Sequence, residues 1–371
     1  MLYLWSPQLS LEVKKELEKD FNNISFDSIV LYRLPHKSEC QLLLGQCEEI
    51  ENGITETHLV SNGFVFEPFD NSVTNGVFIN HAYSHSFTHL NAEEIAILTN
   101  AFEIKTNDQS VFIDDLESYE NHFNNILKAI ENQEIDKAIL SRIIKGSKVA
   151  KEQVISLFQI LTKKYPHAFV YAINTPEHGI WIGAGPELLL KHQAKQLSTV
   201  SLAGTIANDE KSEWSDKELI EQNLVTEYIE NVVIKHHTQN IEYSEPQTVI
   251  AGQVKHLCST FTFELPKVNG NHVGLIYDLH PTPAVCGMPK DESFEIILNT
   301  EKHDRQFYSG FLGPVNNGQY EFYVNIRCLK VMKETSILFV GGGLTKDSVM
   351  KQEWLETELK AQTLLSALKN I

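Results

Sequence analysis

Apolar residues recur at helical spacing over 11–21, 116–132, 153–165, 215–237 and 350–369, which predicts five helices there. A further short helix is expected over 91–101, opening on Asn91 with Glu93 and Glu94 in its first turn. Runs rich in branched and aromatic residues predict strands over 28–34, 41–44, 137–145, 168–174, 179–183, 188–191, 254–263, 320–332 and 336–340. The last of these runs into Gly341-Gly342-Gly343. The signals are mixed before about residue 110 and clear from about Phe112 onward. Strands and helices alternate irregularly. That argues against a doubly wound parallel sheet and for a large mixed sheet covered by helices.

Composition narrows the function. The chain has 371 residues, 42% hydrophobic and 22% charged, which suits a globular protein with a core large enough to enclose a site. A formal net charge of -18 argues against nucleic acid or an anionic membrane surface as partner, while leaving an anionic small molecule open. The five cysteines are odd in number and form no C-x-x-C pair, which fits a reducing cytoplasm better than a disulfide framework or zinc site. No signal peptide is expected at the N-terminus, and no apolar run approaches the ~20 residues needed to span a bilayer. Metalloprotease H-E-x-x-H, nucleophile-elbow G-x-S-x-G and P-loop motifs are missing from the sequence.

Two helices carry paired glutamates. Glu218 and Glu221 are spaced i,i+3, and Glu221 has Leu224, Val225 and Tyr228 at +3, +4 and +7, which predicts an inward-facing position. A carboxylate on such a stripe needs a partner or a metal. Glu353 and Glu356 repeat the spacing and Lys360 follows, the three falling within an arc of about 60°. Most such pairs in proteins are solvated surface charge, and periodicity alone cannot bring the two helices together. Four carboxylates that did meet would suit a hard cation such as Mg²⁺, two binding directly and two through water.

Lys137 opens an otherwise apolar strand on the face of Ile139, Ser141 and Ile143. Poor hydration there favours the neutral amine and suits it to act as a base; an edge lysine guarding a sheet is the plainer alternative. Glu187 follows Gly185-Pro186 at the start of an apolar run. If buried it would hold its proton to higher pH and act as a general acid; a turn carboxylate is the plainer alternative. Gly204-Thr205 and Gly341-Gly342-Gly343 offer backbone N–H groups that can hold carboxylates.

Ten blocks then occur in order: KAILSR, GPELLL, SLAGT, KELIEQNLV, VKHL, LHPTPAVCGMP, FYSG, VNIRCLKV, VGGGL and EWLETELK. Together they resemble the signature blocks of the chorismate-binding enzymes, which include isochorismate synthases, salicylate synthases, anthranilate synthase large components and aminodeoxychorismate synthases. The resemblance spans about residues 112–370.

It implies an α/β (α+β) fold with a large, mostly antiparallel, two-layer sheet flanked by helices. Residues 1–110 would be the variable N-terminal part of that fold and 111–371 the catalytic region, in one integrated domain. It implies that Glu221 and Glu356 bind Mg²⁺ directly and that Glu218 and Glu353 act through water. Gly204, Thr205, Arg327, Gly341 and Lys360 would contact substrate carboxylates, and His256 would line the pocket. Water-using members resemble this chain in carrying lysine at the position of Lys137, where ammonia-using members carry glutamine. Ala203 also differs from the lysine of aminodeoxychorismate synthases. The resemblance therefore implies water addition at C2 of chorismate with loss of the C4 hydroxyl, giving isochorismate, with Lys137 as base and Glu187 as acid. No glutaminase subunit is expected, and the family leans to monomers. Salicylate formation by later loss of pyruvate is the nearest alternative; a non-catalytic chorismate-binding protein is the alternative of another kind. Isochorismate can feed menaquinone, siderophores or salicylate, and no residue distinguishes these. The chain departs from the family pattern at Ile206-Ala207-Asn208-Asp209, at Gln222 where histidine is usual, and at Cys286 where glycine is usual.

Overall fold

The computed structural model describes residues 24–102, 111–209, 213–251, 254–266 and 270–371. The helix expected over 11–21 lies outside the described residues. Among those described, the strands are β1 (Ser28–Arg33), β2 (Cys40–Ile50), β3 (Asn62–Glu67), β4 (Gly76–Phe87), β5 (Lys137–Gly146), β6 (Phe169–Thr175), β7 (Gly179–Gly185), β8 (Leu188–Gln193), β9 (Gln196–Ala207), β10 (Gln239–Tyr243), β11 (Gln247–Ala251), β12 (Val254–Glu264), β13 (Gly287–Met288), β14 (Phe311–Asn316), β15 (Gln319–Val324), β16 (Cys328–Val331) and β17 (Ser336–Leu344). The helices are α1 (Glu56–Val60), α2 (Ala92–Ala101), α3 (Leu116–Glu131), α4 (Lys151–Lys164), α5 (Asp216–Lys235), α6 (His272–Leu279), α7 (Lys290–Thr300) and α8 (Met350–Leu368).

Every strand pairing among the described residues is antiparallel. One layer runs β2-β1-β6-β7-β16-β17-β5-β13. The other runs β3-β14-β15-β8-β9-β12, with β10 and β11 along the far side of β12. β4 pairs with both β2 and β3 and joins the layers. Between them lies an aromatic-rich core that includes Phe64, Phe66, Phe169, Tyr171, Trp181, Phe307 and Phe339. Helices cover the outer faces, α4 and α8 against one layer and α5 and α6 against the other. This is the two-layer antiparallel architecture that the sequence blocks imply. No helix among the described residues is long and apolar enough to cross a membrane.

One local reading changes. The run 320–332 is not one strand: β15 ends at Val324 and β16 begins at Cys328. Arg327 takes a left-handed φ of +54° and its carbonyl accepts from Ala184 N, so the chain turns out of the ladder there. Gly204-Thr205, whose backbone N–H groups the sequence offers for carboxylates, lies in the late part of the long strand β9, where Gly204 has φ +60°.

Candidate active site

β5 runs between β17 and β13, so Lys137 opens a central strand and not an edge. Its side chain is fully buried (0% exposed) and its Nζ donates to Glu221 Oε1 at 2.8 Å. The β17 glycines make room for this pair. A Cβ on Gly343 would stand 2.7 Å from Glu221 Oε1 and 3.2 Å from Lys137 Cε. One on Gly342 would lie 3.6 Å from Glu353 Oε2 and 3.8 Å from Glu356 Oε1. The bare strand is thus a cradle faced by three carboxylates from two helices. On α5 the buried stripe is Gln222, Val225, Ile229, Val232 and Val233, with Glu221 at its margin where the stripe meets the cleft.

Each of the three carboxylates is held by a lysine: Glu221 by Lys137, Glu353 by Lys217 and Glu356 by Lys360, all at 2.8 Å. Burial works against the charge of Glu221, but Lys137, Lys360 and Lys217 hold it below the usual carboxylate range. For Glu353 the balance is reversed: burial and the neighbouring Glu356 raise it in spite of Lys217. Glu218 is placed differently. Its carboxylate accepts from Ser215 N at 3.0 Å and from the Ser215 hydroxyl, closing the capping box of α5.

A cleft beside this cluster is lined by Glu187, Thr205, Glu221, His256, Arg327, Gly341 and Lys360. Glu187 is buried, which pushes it up to about 7, against the opposing effects of Thr282, whose Oγ1 donates to Glu187 Oε1 at 3.1 Å, and of Lys137, Arg327 and Lys360. Arg327 Nη2 donates to His256 Nε2 at 2.6 Å. A guanidinium can only donate, so Nε2 accepts and Nδ1 carries the proton toward Gly204 O at 3.2 Å. Burial and the nearby Arg327 hold His256 well below its ordinary value, hence neutral. Burial lowers Arg327 to about 10. Its Nε has no hydrogen-bond partner, and no carboxylate among the described residues forms an ion pair with it. A buried cation in that state is a receptor for an anion. Lys360 Nζ also donates to Gly341 O at 3.1 Å.

The all-oxygen donor set around the glycine cradle fits a hard cation such as Mg²⁺, and so does the mutual repulsion of Glu353 and Glu356. As placed, each carboxylate is turned to its lysine, and among the described residues no three acidic, His or Cys side chains have ligating geometry.

The profile of the family described as "Chorismate binding enzyme" matches residues 74–369, most of the chain. The chain belongs to the chorismate-binding enzymes. It is 28% identical over 265 residues to the vibriobactin-specific isochorismate synthase of Vibrio cholerae serotype O1, covering 68% of this chain and 66% of that protein. It is 30% identical over 246 residues to the isochorismate synthase EntC of Escherichia coli K12, covering 63% and 62%. The matched stretches thus span less than two thirds of the length of these curated relatives. The crystal structure of a putative 2,3-dihydroxybenzoate-specific isochorismate synthase, DhbC, from Bacillus anthracis superposes with a TM-score of 0.76 at 25% identity, covering 95% of this chain and 99% of that one.

Of the residues singled out in this chorismate-binding enzyme, the cleft unites seven, and Lys137 reaches it through Glu221. Gly204 lies between Ala203 and Thr205, both lining residues. Glu353 and Glu356 sit behind Gly342. Three polar neighbours escape the sequence reading: Lys217, Thr282 and the cleft-lining Tyr308. Lys217 stands four residues before Glu221, a readable spacing, but its partner Glu353 is 136 positions away. Thr282 and Tyr308 lie inside the LHPTPAVCGMP and FYSG blocks, whose polar members are the signal that could have found them.

Proposed function

We propose that this chain is an isochorismate synthase, interconverting chorismate and isochorismate. The observation that carries the reading is the pairing in one site of a buried lysine, Lys137, with a buried carboxyl, Glu187, whose proton is retained to about pH 7. The names of the relatives support the same reaction.

In the forward direction the Lys137 amine takes a proton from water as its oxygen bonds to C2. The ring double bonds shift, and Glu187 gives its proton to the departing C4 hydroxyl, which leaves as water. Atoms balance as an isomerisation, with one water entering and one leaving. The enzyme is left with a protonated Lys137 and an ionised Glu187, and transfer of that proton through the solvated cleft restores the starting state. Arg327 and Lys360 are cations suited to the substrate's two carboxylates, with Gly204, Thr205 and Gly341 supplying polar backbone beside them, and His256 forms a neutral wall. Holding the ring in one orientation is where much of the acceleration arises.

The residues that would hold Mg²⁺ are Glu221 and Glu356 directly, with Glu353 and Glu218 acting through water. When bound, the ion would supply positive charge for the substrate's ring carboxylate. The five free cysteines suit the cytoplasm, and water as the nucleophile calls for no glutaminase subunit.

The test is product analysis. Purified protein is incubated with chorismate and Mg²⁺, with and without ammonium, and products are separated by chromatography. Isochorismate alone is expected. Salicylate with pyruvate would move the assignment to salicylate synthase. Anthranilate or aminodeoxychorismate with ammonium would refute water as nucleophile, and no turnover would point to a binding protein.

A further inference from the structure

α5 meets β9 at an irregularity in the sheet. The β9–β12 ladder runs in register from Phe263↔Leu197 to Leu257↔Ala203 and then slips, so that His256 faces Thr205 and Gly204 has no counterpart. Such a bulge leaves backbone groups without ladder partners. Gln222 binds β9 just before the slip, at Ala203 and Ser201, where the strand has run past its pairing with β8. Its Oε1 accepts from Ala203 N at 2.9 Å, and its Nε2 donates to Ser201 O at 3.1 Å and to Ser201 Oγ at 2.9 Å. The amide orientation follows from the partners, because a peptide N–H only donates and a carbonyl only accepts. The side chain is 2% exposed, so these bonds have no competition from water. Thr226 extends the contact one turn along α5: its Oγ1 donates to Gln222 O at 3.1 Å and lies 2.9 Å from Ser201 Oγ.

The approach is close as well as polar. A Cβ on Gly204 would stand 3.0 Å from Glu218 O, so the first turn of α5 rests on the glycine itself. Gln222 is the neighbour of Glu221 in the helix, and the strand segment it grips runs on to Thr205. Both Glu221 and Thr205 line the cleft. Thr205 Oγ1 in turn lies 3.2 Å from His256 Nδ1.

We propose that Gln222 is a positioning residue that sets the separation of Glu221 and Thr205 across the cleft, fixing how the cation side of the site faces the substrate side. The proposal rests on the isochorismate synthase reading, since it assigns both sides a ligand. The amide itself is what the position requires. A hydrophobic residue of similar length would fill the space yet leave Ala203 N and Ser201 O unpaired just before the bulge, and the strand would drift relative to the helix. Small displacements matter here, because the substrate has to meet both sides of the cleft at once.

The experiment compares wild type, Gln222→Met, which removes all three bonds at similar length, and Gln222→Glu, which keeps an acceptor for Ala203 N but loses the donor. Each is assayed for isochorismate formation with Mg²⁺. Chorismate binding is followed by calorimetry and folding by circular dichroism. For Gln222→Met the expected result is a rise of about tenfold in both KM and Kd for chorismate, with kcat within about threefold of wild type, at a temperature where the variant is folded. Gln222→Glu should fall between. A lowered Tm with KM and Kd unchanged would overturn the proposal, since that is what a purely structural glutamine gives. If Gln222→Met does not fold, Gln222→Glu is judged by the same criterion. Absence of turnover in wild type itself would refute the activity reading separately, and the clamp would then be decided on the calorimetric Kd alone.

Discussion

Thr282→Val tests Glu187 as the acid. The Thr282 hydroxyl donates to Glu187 Oε1 at 3.1 Å, and both residues are buried. Burial raises Glu187 to about 7, and the Thr282 hydrogen bond opposes it by favouring the ionised form. A hydrogen bond to a charged group contributes about 1.5–3 kcal/mol, and a shift of one pH unit corresponds to about 1.4 kcal/mol, so its loss is worth about 1–2 units. Lys137, Arg327 and Lys360 remain near the carboxyl and continue to favour its charge, which puts the expectation at the lower end, about one unit upward. Glu187 must hold a proton to donate it, so the rate falls as pH rises through its pKa. A plot of log kcat against pH should therefore turn down near 7 in wild type and near 8 in the variant. At pH 8 the protonated fraction would be about fivefold larger in Thr282→Val. Valine matches threonine in shape, and a general packing defect would lower the whole profile without moving its alkaline limb. A limb that stays in place or moves to lower pH would refute Glu187 as the titrating acid.

Lys137→Gln should lower isochorismate formation by about 10²–10⁴-fold, the range for loss of a general base, while chorismate binding stays measurable by calorimetry; an unchanged rate would reject the base assignment. Gly343→Ala puts a methyl 2.7 Å from Glu221 Oε1, so the Mg²⁺ concentration for half-maximal activity should rise at least severalfold with little change in Tm; equal Mg²⁺ dependence would remove the cradle from the cation site. Glu67→Gln addresses stability. Glu67 is fully buried (0% exposed), neither of its oxygens has a hydrogen-bond partner of good geometry, and burial raises it to about 8 against the pull of Asn71 and Tyr277. Its folded pKa lies above the ordinary 4.5, so between these values the folded protein holds a proton that the unfolded chain has lost, and stability falls as pH rises. Over that window the loss reaches an upper limit of about 5 kcal/mol. Urea unfolding should show the variant gaining stability over wild type from pH 5 to pH 8, and a pH-independent difference would refute it.

The sequence made the local geometry of the site legible, and its long-range geometry only through the ordered blocks. Helical phase put Glu353, Glu356 and Lys360 on one face, and the structure pairs Lys360 with Glu356 at 2.8 Å. Period-two alternation could not tell whether Lys137 opens an edge or a central strand, because β5 is buried on both faces and reads as a nearly continuous apolar run. The Lys217–Glu353 and Thr282–Glu187 contacts join residues 136 and 95 positions apart, which no local periodicity encodes. The bulge at Gly204 escaped for a similar reason: a glycine within SLAGT reads equally as a turn, and only pairing with β12 shows the extra residue. Glu67 left no signal, since a lone carboxylate in a strand looks solvated until Tyr277 of α6 and the turn carrying Asn71 close over it.

Charge is where composition and site diverge most. A chain with net charge -18 would repel a dianion such as chorismate at long range. Around the cleft, however, Lys137, Lys217, Arg327 and Lys360 are set against the carboxylates of Glu221, Glu353 and Glu356, with Glu187 about half protonated near pH 7. The three lysines are occupied by three carboxylates, which leaves Arg327, of these four cations, without a carboxylate partner. A divalent ion taking over those carboxylates would release the lysines; with Lys137 serving as the free base, Lys217, Lys360, Arg327 and the ion set five positive charges against three carboxylates, and the surplus of two matches a dianion. The acidity of the surface and the affinity of the cleft are thus separate properties, joined only within roughly a Debye length of about 8 Å at physiological salt. Added salt should consequently speed encounter with chorismate while weakening its grip, so that KM changes less with ionic strength than either rate constant alone.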